Sequence, residues 1–72
     1  MKEVLEAKGW IMYYDCVVCS GKKQFFNNKD FPHYEIRTRP RNKTFSILFK
    51  NQVVAGPFWG YQMDDKVKEF VK

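Results

Sequence analysis

The stretch His33-Tyr34-Glu35-Ile36-Arg37-Thr38-Arg39-Pro40-Arg41-Asn42-Lys43-Thr44-Phe45-Ser46-Ile47-Leu48-Phe49 decides the fold. Its first seven residues alternate between two kinds of side chain, the period of a strand with one buried face. Pro40-Arg41-Asn42-Lys43 carries turn chemistry, and Thr44 to Phe49 returns as a second strand. Lys50-Asn51-Gln52 forms another turn. Val53-Val54-Ala55 is a short third strand, ended by Gly56-Pro57. Three strands joined by short turns make an antiparallel meander.

The period changes at Met63. Met63, Val67, Phe70 and Val71 fall at i, i+4, i+7 and i+8, which is one apolar stripe on a helix. Asp64 and Asp65 lie in its first turn and Lys72 at its end, which suits the helix dipole. The expected fold class is α+β: a small antiparallel β-sheet, a meander of three to five strands, packed on one face by a C-terminal α-helix.

The upstream half is less regular. Residues 2–8 predict a short helix stopped by Gly9. Trp10-Ile11-Met12-Tyr13-Tyr14 predicts a strand, and its lack of alternation predicts cover on both faces. Lys22 to Phe26 reads either as a second strand closing a hairpin or as a helical turn. Asn27-Asn28-Lys29-Asp30 reads as a turn, reinforced by Pro32.

At 72 residues the chain, 1–72, is one domain at most. A domain of this size buries only roughly 60% of the surface its unfolded chain exposes, so it needs an unusual core or a staple. An aromatic content of 18% supplies the core. The net charge of +5 predicts an acidic partner: nucleic acid or an acidic protein. No run approaches the roughly 18 apolar residues of a membrane span, so no membrane partner is expected. Met1 to Lys8 does not read as an export signal, and a cytoplasmic location is expected.

Alternation sorts the meander into faces. Tyr34, Ile36 and Thr38 share one face of their strand with Phe45, Ile47 and Phe49 of the next, and this set belongs against the helix. The opposite face carries Arg37, Arg39 and Lys50, with Arg41 and Lys43 at the turn. Five cations on one side predict a phosphate-facing surface, because Lys and Arg on phosphates supply most non-specific nucleic-acid affinity. Leu48 would stand on that face as an exposed apolar residue. Trp59 and Tyr61, between the last strand and the helix, are candidate aromatic contacts for bases or a protein partner. A meander followed by a helix, with arginines on the strands, resembles the three-stranded-sheet DNA-binding domains of plant transcription factors and some integrases. The resemblance covers residues 34–71 and rests on architecture.

Cys16-Val17-Val18-Cys19-Ser20-Gly21 admits three readings. As a zinc knuckle, Cys16 and Cys19 would be metal ligands on a hairpin of Ile11–Asp15 and Lys22–Phe26. His33, Asp15 or Asp30, or a homodimer's second knuckle, would complete the four ligands that structural zinc needs. As a redox pair, Cys16 would head a helix whose dipole and nearby Lys22 and Lys23 lower its thiol pKa. Residues 44–56 and 63–72 resemble the late hairpin and last helix of the glutaredoxin and thioredoxin family. The 25 positions from Cys19 to Thr44 leave no room for that family's second crossover helix. As structural residues, the two thiols are small side chains near a turn.

With one His in the chain, no catalytic constellation appears and no catalytic residue is assigned. The expected role is non-enzymatic: a small basic binding protein or regulator acting on nucleic acid through a cationic sheet face, with no cofactor unless zinc. The alternatives are a protein-interaction module of phage or mobile-element type, using Trp10, Tyr13, Trp59 and Tyr61, and a truncated glutaredoxin-like thiol oxidoreductase.

Overall fold

The computed structural model describes residues 1–18 and 21–72. Within them the order is α1 (Lys2–Ala7), β1 (Ile11–Val18), β2 (Gly21–Asn27), β3 (Tyr34–Arg39), β4 (Thr44–Phe49), β5 (Gln52–Trp59), a 3-10 turn at Gly60–Gln62, and α2 (Met63–Phe70). The five strands form one sheet in sequence order, every neighbour antiparallel. The α+β meander with its C-terminal helix is therefore present, and Lys22 to Phe26 belongs to a strand.

Turn chemistry sets the registers. Phe49 pairs with Gln52, leaving the two-residue loop Lys50-Asn51, with φ of 51° and 67°. Two consecutive positive φ values match the right-handed twist of the flanking strands. At the other end of α1, Gly9 has φ 90°, a region most side chains avoid, and turns the chain into β1.

One face of the sheet is the core. Met12, Phe26, Ile36, Ile47 and Ala55 run across it in register, and the next row holds Gln24, Thr38, Phe45 and Phe58. Leu5 of α1 and Met63 and Val67 of α2, with Val71 just beyond, close over these rows, and all are buried. Phe70 is half-buried, stacked on Phe58 with ring centroids 5.8 Å apart. The predicted stripe is thus the packed face of α2. Asn28, in the turn after β2, is buried because it does local work. Its Oδ1 accepts the Asp30 backbone N–H at 2.9 Å and its Nδ2 donates to the Lys8 carbonyl at 3.3 Å, tying the end of α1 to that turn.

Two expectations are corrected. The Trp10–Tyr14 run is not covered on both faces: Trp10 is buried, but Ile11, Tyr13 and Tyr14 are exposed. The cause is position, since β1 is an edge strand and the second sheet face carries no helix among the described residues. The last strand also does not stop at Gly56-Pro57. Phe45 pairs with Phe58 and Ile47 with Ala55, so β5 absorbs Gly56-Pro57 in a bulge and continues to Trp59. Gly56 has φ 105°, and a Cβ there would stand 3.0 Å from the Phe45 carbonyl oxygen and from Ser46 Cα.

Candidate nucleic-acid interface

The uncovered face holds the candidate site. Tyr14, Phe25, Arg37 and Ser46 run across it in register on β1 to β4. Tyr14 stacks on Phe25 at 4.7 Å, and the Arg37 guanidinium sits over the Phe25 ring at 4.4 Å. Beside this row lie Asn27, Glu35, Leu48 and Val53. Glu35 accepts hydrogen bonds from both Arg37 Nε and the Tyr13 hydroxyl. Partial burial, then the bond to Glu35 and its charge, push the Tyr13 hydroxyl pKa up to about 12, against a smaller opposing pull from Arg37.

Arg37 and Arg39 project from this face together, as alternation requires. The surface is not a plain cationic plateau, because Arg37 is ion-paired with Glu35. Between Arg37 and Pro57 the face sinks into a hollow of about 520 Å³ lined in part by Lys23, Arg39 and Leu48. Leu48 is only 2% exposed, which corrects its expected exposure. It is buried on the face opposite the main core, where it lies between Glu35 and Val53 in register.

The remaining predicted cations separate. Arg41 lies against Gly21, its Cδ 3.2 Å from where a Cβ would stand. Lys43 lines a second hollow of about 610 Å³ together with Lys2, Lys22, Gln24, Trp59 and Tyr61. Trp59 and Tyr61 are 55% and 85% exposed. Lys50 does not join the set. It lies in the β4–β5 loop, where its N–H donates to the His33 carbonyl at 2.9 Å and its ammonium sits over the Phe49 ring. At roughly 3.4 Å per strand residue, that is about 20 Å from the Arg39 end. The loop turns the chain before Lys50 can continue the β4 alternation.

The distribution of charge follows from topology. The start of β2, the end of β3, the start of β4 and the end of β5 meet at one end of the sheet. That end gathers Lys22, Lys23, Arg39, Arg41 and Lys43, with Lys2 of α1 alongside. Lys22 pairs with Asp15 at 3.8 Å and Lys2 with Glu6 at 3.7 Å. Lys23, Arg39, Arg41 and Lys43 make no ion pair among the described residues. Lys23, Phe25 and Tyr14 were not among the residues expected here. For Lys23 and Phe25 a signal was present: once Lys22–Phe26 pairs with β3, alternation places both on the arginine face, whereas Tyr14 reaches it through the register shift in β1.

Cys16 lies within β1 opposite Lys23, not at a helix N-terminus, which removes the geometry on which the redox reading depended. Cys19 lies outside the described residues. His33 precedes β3 at the far end of the sheet from Cys16, roughly 20 Å away by strand rise, so those two proposed ligands are not brought together. Among the described residues no three His, Cys, Asp or Glu side chains converge as metal ligands would. Trp10, offered as an interaction aromatic, is instead 2% exposed and packed against Phe31. No helix among the described residues is long and apolar enough to cross a membrane.

No protein-family model, curated protein or solved structure matches the chain.

Proposed function

We propose that this chain is a small basic binding protein that takes nucleic acid at the Arg39 end of its open sheet face. The observation that carries the reading is the group Lys23, Arg39, Arg41 and Lys43, four cations at one end of the sheet with no carboxylate in ion-pair range among the described residues. Among the described residues no ion-paired carboxylate offsets their field, so a phosphate meets no competing anion there. Exposed Trp59 and Tyr61 beside Lys43 add ring faces that any base can meet.

Binding to random-sequence DNA and RNA across a salt series tests it. Four phosphate contacts predict a log–log slope of roughly −3 to −4, from about 0.7 per contact on single strands to about 0.9 on duplex. Changing the four cations to Gln should flatten the slope. A flat response of the intact protein, or no binding at low salt, would end this reading. The same two exposed aromatics support a second reading, a protein contact anchored at Trp59 and Tyr61, because such residues dominate binding hot spots.

A further inference from the structure

We infer that the nucleic acid is single-stranded, with one unstacked base seated in the hollow between Arg37 and Pro57. This rests on the nucleic-acid reading and specifies its substrate. Shape is the first argument. A duplex is read by an element that protrudes into a groove, an α-helix or a two-stranded ribbon in a major groove about 12 Å wide. Here the charged face is recessed. A hollow of about 520 Å³ in the middle of a five-stranded sheet accepts a group that protrudes from its ligand. That volume lies within the roughly 300–1,000 Å³ of small-molecule pockets. Bases splayed from a single strand are such groups, whereas bases in a duplex are already stacked on both sides.

The chemistry of the walls is the second argument. Tyr14, Phe25 and Arg37 form one lateral stack, with Phe25 between the tyrosine ring and the guanidinium. Phe25 therefore has no free face for a base. The guanidinium ends the stack, and a guanidinium plane is itself a stacking surface for bases. Glu35 holds Arg37 by its Nε, so the plane is fixed before any ligand arrives. Leu48 and Val53 give the hollow an apolar lining. Thr44, Ser46 and Asn42 place hydroxyl and amide groups at the same hollow for the edge of a base. Lys23 and Arg39 also line the hollow and supply cations for the phosphate that follows a seated base.

Two variants separate this from the parent reading. Val53→Trp fills the hollow from an exposed position on an edge strand and removes no charge. Arg37→Lys keeps the charge and removes the plane. Each is checked for native circular dichroism, then titrated with a fluorescent random single strand and with its duplex. The intact protein should prefer the single strand at least tenfold. Each variant should lose about tenfold on the single strand, with the salt slope and duplex binding unchanged. Equal or tighter duplex binding, or single-strand binding untouched by both variants, overturns the inference and leaves the nucleic-acid reading standing. Absence of salt-dependent binding to either form overturns both.

Discussion

Ile36 and Leu48 are equally hidden from water, yet they lie on opposite faces of the sheet, and truncating each should reveal how differently those faces are built. Ile36 is fully buried, flanked in register by Phe26 and Ile47 beneath the two helices. Leu48 is 2% exposed on the face without a helix and lines the hollow. Either change to Ala removes about three methylene equivalents, or about 2.4 kcal/mol at ~0.8 kcal/mol each. The cavity left behind adds more where the surroundings cannot collapse, giving about 3–5 kcal/mol in rigid cores. Ile36→Ala should fall near the top of that range. Leu48→Ala opens its void into a hollow that is open to the surface, so it should cost about 2–3 kcal/mol. A 72-residue chain has about 4–11 kcal/mol in total, at ~0.05–0.15 per residue. At about 5 kcal/mol, Ile36→Ala should therefore remove roughly half or more of that total, whereas Leu48→Ala should leave the chain folded. Urea denaturation at unchanged m-value reads both. Equal costs would mean that the open face is packed as rigidly as the core. A cost below about 1 kcal/mol for Leu48→Ala would refute the packing of Leu48 between Glu35 and Val53.

Three further changes probe other parts of the structure. Because the Tyr13 pKa is raised in the folded state, its hydroxyl contributes stability that is complete below the ordinary tyrosine value near 10 and is lost as pH rises toward about 12. Tyr13 is half exposed, so that contribution should be under about 1 kcal/mol. The stability gap between the intact protein and Tyr13→Phe should hold up to about pH 10 and then shrink, and Tyr13→Phe should remove a late-ionising component from the tyrosine absorbance titration; a gap that widens above pH 10 refutes the assignment. Gly56→Ala should cost at least about 2 kcal/mol by urea midpoint, since φ 105° and two backbone atoms at 3.0 Å leave no room, whereas Gly9→Ala, whose nearest contact is 3.5 Å, should cost only the dihedral strain of about 1 kcal/mol. Arg39→Gln should reduce the nucleic-acid salt slope by about 0.7–0.9 and Lys50→Gln should leave it unchanged; equal effects would refute the clustering of charge at one end.

What could be read from residues alone tracks how local the determinant is. The β3–β4 alternation, the turn after Phe49 and the stripe Met63, Val67, Val71 are each set by neighbours within a few positions; the strands and the stripe appear as read, and the turn is one residue shorter because Gln52 pairs with Phe49 and opens β5. The ion pair between Arg37 and Glu35 was accessible too, because positions two apart on a strand share a face. Other features depend on partners distant in sequence. Lys23 and Phe25 join the site only through pairing of β2 with β3. Leu48 is buried through β5, whose bulged register sets Val53 opposite it. Tyr13 sits at an irregularity in β1 between the pairs Met12–Phe26 and Tyr14–Phe25, which alternation cannot foresee.

The meander also sets how the chain can reach its native state. Each strand hydrogen-bonds only to its sequence neighbours, so no pairing has to wait for a distant segment to diffuse back. Low contact order of this kind places folding on a timescale on the order of milliseconds or faster, well ahead of sandwiches of similar size. Hairpins can zip one after another from any starting turn. Cooperativity has a different origin, because α2 follows all five strands in chain order and its Met63 and Val67 close the apolar side. Registers should thus form early and weakly, and docking of α2, together with Leu5 of α1, should convert them into a single all-or-none transition.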